Sequence, residues 1–292
     1  VICATPTLFA QEAGRIQAGQ FDLIPSFTSS MAYVDNVAYA RDDDPEIYSW
    51  RATISPELIA ATQIDGNPFQ VGYRLERGVF FSSSADDYTD HFIEASGEYE
   101  LNSRHRVNAI AQYEDGHEER GTGFSLGLGT AITTPDRYKS TSLGGEYSYG
   151  AVTSDGVITL KANRETLDYE RSEQAYLIRD RVKNKVGAEL GYRIGSATTA
   201  LLDVTQTFVR YDNQTGITTR DSDETRVLLG VRWESTAATT GFAKVGYKEK
   251  DFEAASRSTF YGTDWEVGIE WRPISYSTFR FSTNADTRET NG

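Results

Sequence analysis

Three histidines, His91, His105 and His117, are the residues of this 292-residue chain with the most consequential chemistry. A carboxylate or Ser paired with His would serve acid–base or nucleophilic hydrolysis. Counting back from the Asn102-Ser103 turn sets His91 opposite Asp115, near His117, Asp90, Glu118 and Glu119. That set carries the donors to bind a divalent metal or to activate water. It lacks helical or metal-ligand spacing, however, and a solvated loop with charges of both signs accounts for it more simply. Asp42-Asp43-Asp44 would hold calcium only weakly, without the Gly and distal Glu of a calcium loop. The glycines of 121–129 have no strand-to-helix context, so they read as loop and not as a phosphate cradle. The sequence predicts no catalytic residue, no metal and no cofactor, and so no enzyme; a rim hydrolase built on His91 and His117 is the least favoured alternative.

A second set of charges has a stricter spacing. Arg74, Glu76, Glu189, Arg193, Arg232, Glu266, Glu270 and Arg272 each alternate with apolar neighbours. In Trp265-Glu266-Val267-Gly268-Ile269-Glu270-Trp271-Arg272 the period of two places Trp, Val, Ile and Trp on one face and the charges on the other. A helix would scatter them, so the elements that position these residues must be strands. Burying so many charges in a dry core would cost several kcal/mol for each unpaired ion. A water-filled lumen removes that cost, and these eight residues are the candidates to line it.

The opposite face supports the same reading. Tyr99, Tyr113, Tyr147, Tyr149, Tyr192, Tyr247, Trp50, Trp233, Trp265 and Trp271 sit near the ends of apolar rows, as the aromatic girdles of a membrane barrel do. Most of the other tyrosines share the apolar face, while Tyr211 and Tyr39 could line the pore or its mouth. A mean hydropathy of -0.50 is too polar for a helical membrane protein, and no stretch reaches eighteen apolar residues. The net charge of -14, with no basic stripe, argues against nucleic acid.

About thirteen strands are visible, from 24–34 and 49–64 to 265–272 and 277–285. Connectors alternate in length: tight turns at Asp65-Gly66-Asn67, 102–104 and 195–197, long polar loops at 35–48, 115–136 and 212–216. The expected fold is all-β, a transmembrane antiparallel up-and-down barrel with its short turns in the periplasm. Thirteen is odd and barrels close on even numbers, so the expected whole has sixteen to eighteen strands, with the C-terminal ones missing.

The single Cys3 rules out a disulfide framework. Residues 1–10 read as the end of a secretory signal cut after Ala10, 11–20 as a short periplasmic segment, and 21–292 as the barrel.

Short motifs add a likeness. Pro25, Tyr33-Val34-Asp35-Asn36-Val37, Ser55-Pro56-Glu57-Leu58 and Gly72-Tyr73-Arg74-Leu75-Glu76 resemble a family of outer-membrane β-barrel porins encoded with exopolysaccharide and capsule synthesis systems. The resemblance implies a bacterial outer-membrane channel that assists export of an exopolysaccharide through a polar lumen. Its implied partners are outer-membrane lipid, the polysaccharide and periplasmic export machinery. A structural or adhesive barrel with a plugged lumen is the other expectation.

Overall fold

The computed structural model describes residues 14–125, 132–151, 153–170, 179–212, 219–236, 239–274 and 277–285. The signal-peptide reading of 1–10 lies outside them. Among the described residues fourteen strands form one sheet in sequence order: β1 (Ile16–Ala18), β2 (Phe21–Val34), β3 (Ser49–Ile64), β4 (Asn67–Phe80), β5 (Tyr88–Asn102), β6 (His105–Glu118), β7 (Asp136–Tyr149), β8 (Gly156–Tyr169), β9 (Arg181–Gly195), β10 (Thr198–Tyr211), β11 (Ser222–Thr236), β12 (Thr239–Phe252), β13 (Phe260–Ile274) and β14 (Ser277–Asn284). Every neighbouring pair is antiparallel. The strand beyond the thirteen expected is β1, three residues folded back on β2 with Ile16 opposite Leu23. Too short to show a period, it left no trace in the alternation.

Turn chemistry fixes the register. At the β3–β4 turn Asp65 and Gly66 both take positive φ, 51° and 82°, as a two-residue hairpin turn requires. Asn67 secures it, its amide donating to the Ile64 carbonyl and its Oδ1 accepting from the Glu100 amide at 2.7 Å. A one-residue slip would turn every side chain of the strand to the other face.

The sheet curls around an inner space. Asp22 on β2, Glu98 on β5, Glu146 on β7, Lys185 on β9 and Lys244 on β12 all line one cavity of about 1130 Å³. Large apolar side chains point the other way: Phe27, Met31, Leu58, Val71, Leu229 and Val245 are exposed on the convex face. In water so many exposed apolar groups would be a severe liability; hydrocarbon is their natural solvent.

The apolar band ends in aromatics at both rims. Toward the long connectors, extracellular in barrels of this kind, Tyr33 meets Trp50 edge-on at 5.4 Å and Tyr247 stacks on Tyr261 at 6.2 Å. Toward the short turns, Trp271 lies 5.4 Å from Phe279, and His105 packs against Tyr147 and Tyr149.

The closest approach to a conventional core lies at the long-connector rim. Val37 packs with Phe80 and Tyr88, flanked by Val34 and Ile47. Connector 119–125 locks onto the segments beside this cluster, at Ala38 and Asp86. Arg120, buried, reaches Asp86 with its Nε at 2.5 Å and pairs with it again through Nη2. Gly121, at φ 74°, passes so near the Ala38 carbonyl that a β-carbon would sit 2.1 Å from its oxygen. Only glycine fits there.

Candidate functional site

Residues paired across antiparallel strands share a face, so register assigns each side chain to the inner or the outer face of the sheet. Arg74 pairs with Glu57 and Phe92, Glu189 with Thr159 and Asp203, Arg193 with Thr199, and Arg232 with Thr199 and Phe242. Glu266 pairs with Lys244, and Glu270 with Thr240 and Arg280. By this pairing and the alternation, Arg74, Glu76, Glu189, Arg193, Arg232, Glu266, Glu270 and Arg272 all fall on the concave face. They are not one cluster. Arg74 and Glu76 pair with each other at 3.0 Å, and the Arg74 guanidinium lies 3.8 Å above the Phe92 ring. Glu270 pairs with Arg272 and Arg280 near the short-turn rim. Arg193, with Arg232 and Glu189, lines a separate recess of about 490 Å³.

Glu189, Arg232 and Glu266 join a larger lattice. Lys244 Nζ donates to Glu189 Oε2 and Asp203 Oδ2, each at 3.1 Å, and forms a 3.2 Å ion pair with Glu266. Lys161 adds 3.2 Å and 3.5 Å ion pairs to Glu189 and Asp203, and Arg232 reaches Glu189 at 2.7 Å. Arg226 links Glu266 to Asp264, and Lys248 closes on Asp264 at 3.1 Å. Alternating charges thus tie β8 through β13 together. Inner-face glycines make room: a β-carbon on Gly230 would meet the Lys244 side chain at 2.8 Å. Lys161, Asp203, Arg226, Lys244, Lys248 and Asp264 were absent from the sequence-derived set. Their signal was the polar phase of strands whose apolar residues fall on both faces.

The opposite wall differs in sign. Across β2–β7 the inner face carries Asp22, Glu57, Glu94, Glu98, Glu114 and Glu146, with Arg51, Arg74 and Arg106 the only basic residues by the same phase. Its carboxylates are held by neutral donors: Ser26 on Glu57 at 2.9 Å, Gln112 on Glu94 at 2.8 Å, Tyr138 on Glu114 at 2.8 Å. On β8–β13 basic residues outnumber acids, with Arg181, Lys183 and Lys185 consecutive along the inner face of β9.

The histidine set comes apart. His91 does pair with Asp115. That pair falls on the outer phase, where His91 Nδ1 shares a 2.8 Å hydrogen bond with the Tyr73 hydroxyl. His117 instead bonds Asp90 at 2.8 Å and stacks on Tyr88, with ring centroids 4.0 Å apart. Asp90 is spent on His117 alone, Glu118 on Tyr169 and Arg179, and Glu119 on Arg51. Among the described residues no three His, Cys, Asp or Glu side chains converge as metal ligands would. Asp42, Asp43 and Asp44 are exposed, Tyr211 is buried on the inner phase of β10, and Tyr39 donates to Glu119 at the mouth. Residues 126–129 of the glycine-rich stretch lie outside the described residues.

Residues 11–292 match the family described as "Putative beta-barrel porin 2". The chain belongs to that family. Its setting is the bacterial outer membrane, with lipid against the convex face. No curated protein matches the sequence. Among solved structures it is similar to the β domain of the Bordetella autotransporter BrkA, at 9% identity and a TM-score of 0.36, over 85% of this chain and 98% of that one. It is also similar to in-vitro folded OmpT, an outer membrane protein of Vibrio cholerae, at 11% identity and a TM-score of 0.39, over 92% and 100%.

Proposed function

We propose that this porin-family barrel is a water-filled channel for hydrophilic solutes, with a transverse field between an acidic wall on β2–β7 and a basic wall on β8–β13. The observation that carries the reading is the opposition of Glu98 and Glu146 to Lys185 and Lys244 around one cavity. Opposed charge rows orient polar solutes and order water, which raises the barrier for apolar ones. The solute we favour is an exopolysaccharide delivered by periplasmic export machinery, on the strength of the motif resemblance and of a lining rich in hydroxyls, amides and charges. In this reading the chain positions and filters; it does no bond chemistry.

One observation favours a plugged structural barrel instead: at the extracellular rim connector 35–48 packs Val37 onto the inner Tyr88 and Phe80, and connector 119–125 lies against Ala38, Tyr39 and Asp86. Planar-bilayer recording separates the two. The channel reading expects stepwise conductance, and a reversal potential in a KCl gradient that moves toward anion preference when Glu98 and Glu146 are both replaced by Gln. Absence of conductance from folded protein, with no loss of polysaccharide secretion on deletion, would refute it.

A further inference from the structure

The basic wall is neutralised unevenly. Around Glu189 and Asp203 each cation has a carboxylate, but Lys183 and Lys185 on β9 have neither an ion pair nor a hydrogen bond to a described residue. Both face a cavity of about 550 Å³ between β8–β13 and the end of β14. Two like charges two residues apart on one strand face repel, and Glu165, opposite Lys183 on β8, faces the same cavity without closing to an ion pair. The same cavity holds two buried polar atoms without a hydrogen bond, Arg226 Nε, which has only a 3.4 Å ion pair with Asp264 Oδ2, and Asp264 Oδ1. Buried polar atoms are normally satisfied by protein, water or ligand. Thr205 and Thr207 line the cavity beside the lysines, and Glu165 and Glu224, which have no ion pair, face it too.

That combination discriminates between ligands. A bare inorganic anion would satisfy Lys183, Lys185 and Arg226 but would meet Glu165, Glu224 and Asp264 with repulsion. A neutral sugar would donate to the carboxylates and leave the lysines uncompensated. A polyhydroxylated anion does both: its carboxylate sits on the lysines, and its hydroxyls donate to the carboxylates. We propose that this cavity is a subsite for an acidic sugar, with its carboxylate on Lys183 and Lys185 and its hydroxyls toward Asp264 and Glu224. The inference rests on the channel reading for its physiological role and narrows the solute from any hydrophilic molecule to an acidic saccharide.

The test uses the folded protein in detergent and in planar bilayers, with glucuronate and glucose as probes. Calorimetry is expected to show glucuronate binding at least tenfold more tightly than glucose, and glucuronate, not glucose, to reduce the chloride current. Replacing both lysines (Lys183→Gln with Lys185→Gln) is expected to weaken glucuronate about tenfold or more, while the charge-keeping pair Lys183→Arg with Lys185→Arg retains it. Heat-modifiable gel mobility confirms folding of each variant, and if the Gln pair does not fold the comparison of glucuronate with glucose on the unaltered protein decides. Equal binding of glucose and glucuronate overturns the subsite, as does a Gln pair that binds glucuronate within twofold of the unaltered protein. Conductance without discrimination removes the subsite and leaves the channel; discriminating binding without conductance supports the subsite and removes the channel.

Discussion

Lys244→Met tests whether the charge lattice holds the barrel wall together. The ammonium is 7% exposed and touches carboxylates of β9, β10 and β13 at 3.1 to 3.2 Å. At 3.1 Å two unit charges attract by about 5 kcal/mol at an effective dielectric of about 20, and by about 1.3 kcal/mol in bulk water. Removing one partner of a buried pair typically costs about 3–5 kcal/mol, because the charge left behind is uncompensated. Here compensation is partial: Lys161 and Arg232 still reach Glu189, and Arg226 still reaches Glu266, though Lys161 and Arg232 are 35% and 45% exposed and so screened. Asp203 keeps only Lys161 and the Thr205 hydroxyl. The expected loss is therefore about 2 kcal/mol, below the full buried-pair figure. The assay is urea unfolding in lipid vesicles followed by tryptophan fluorescence. With a slope of about 2 kcal/mol/M the midpoint falls by about 1 M. Glu270→Gln, which removes a solvent-exposed pairing with Arg272 and Arg280 at the rim, serves as the control and leaves the midpoint in place. A Lys244→Met midpoint indistinguishable from the control would mean that the lattice is fully hydrated and carries no stability.

Arg120→Ala breaks a buried pair with Asp86; a local cost of about 3 kcal/mol raises the open population of connector 119–125 about a hundredfold, seen as faster proteinase K cleavage there, and unchanged cleavage would sink the lock. At Asp180, in the β8–β9 connector, burial raises the carboxyl pKa, while its Oδ1 accepts from the Tyr169 amide at 2.8 Å. The ionised form is the disfavoured one, so Asp180→Asn stabilises above the raised pKa, and the gain disappears once pH falls low enough to protonate Asp180; an advantage independent of pH would contradict this. Brominated lipids should quench Trp50, Trp265 and Trp271, all exposed on the convex face, and loss of quenching in any one places it off the lipid. Asp43→Cys should react with an impermeant maleimide on intact cells while Asp65→Cys, at the β3–β4 turn, does not; the reverse pattern would invert the barrel.

Period-two alternation was legible wherever the two faces differed in polarity. It located β13 from Trp265 to Arg272 and the Asp65-Gly66 turn, and it set His91 opposite Asp115. It missed the centre of the lattice for a physical reason. On β10 the inner phase holds Leu201, Asp203, Thr205, Thr207 and Val209, and the outer phase Leu202, Val204, Gln206 and Phe208. Leu201 and Val209 are buried inside, so apolar residues occur on both phases and no alternation marks Asp203. The histidine cluster failed differently. His91 and His117 are close in register, but His91 faces Tyr73 on the outside while His117 is drawn onto Asp90 and Tyr88. By phase His117 stays with Asp115 and His91, and what separates the two rings is the partner each finds, so a shared phase on a ladder does not make a common site.

The two walls do different work, and this gives the sharpest expectation. Carboxylates of β9, β10 and β13 are consumed by lysine and arginine from neighbouring strands, so their charge is cancelled locally and their effect is to crosslink the sheet. Carboxylates of β3, β5 and β6 accept from Ser26, Gln112 and Tyr138, neutral donors that leave the carboxylate charge uncancelled. The lumen field then originates on the acidic wall and on the unpaired Lys183 and Lys185 opposite, and stability mainly on the paired lattice of β8–β13. Glu94→Gln should shift the reversal potential in a KCl gradient toward anions and leave the urea midpoint in place. Glu189→Gln should do the reverse, lowering the midpoint because Lys161, Arg232 and Lys244 lose a shared partner, with a smaller change in selectivity. If both substitutions move both readouts equally, the division of labour between the walls is wrong, and the charges act as one undivided network.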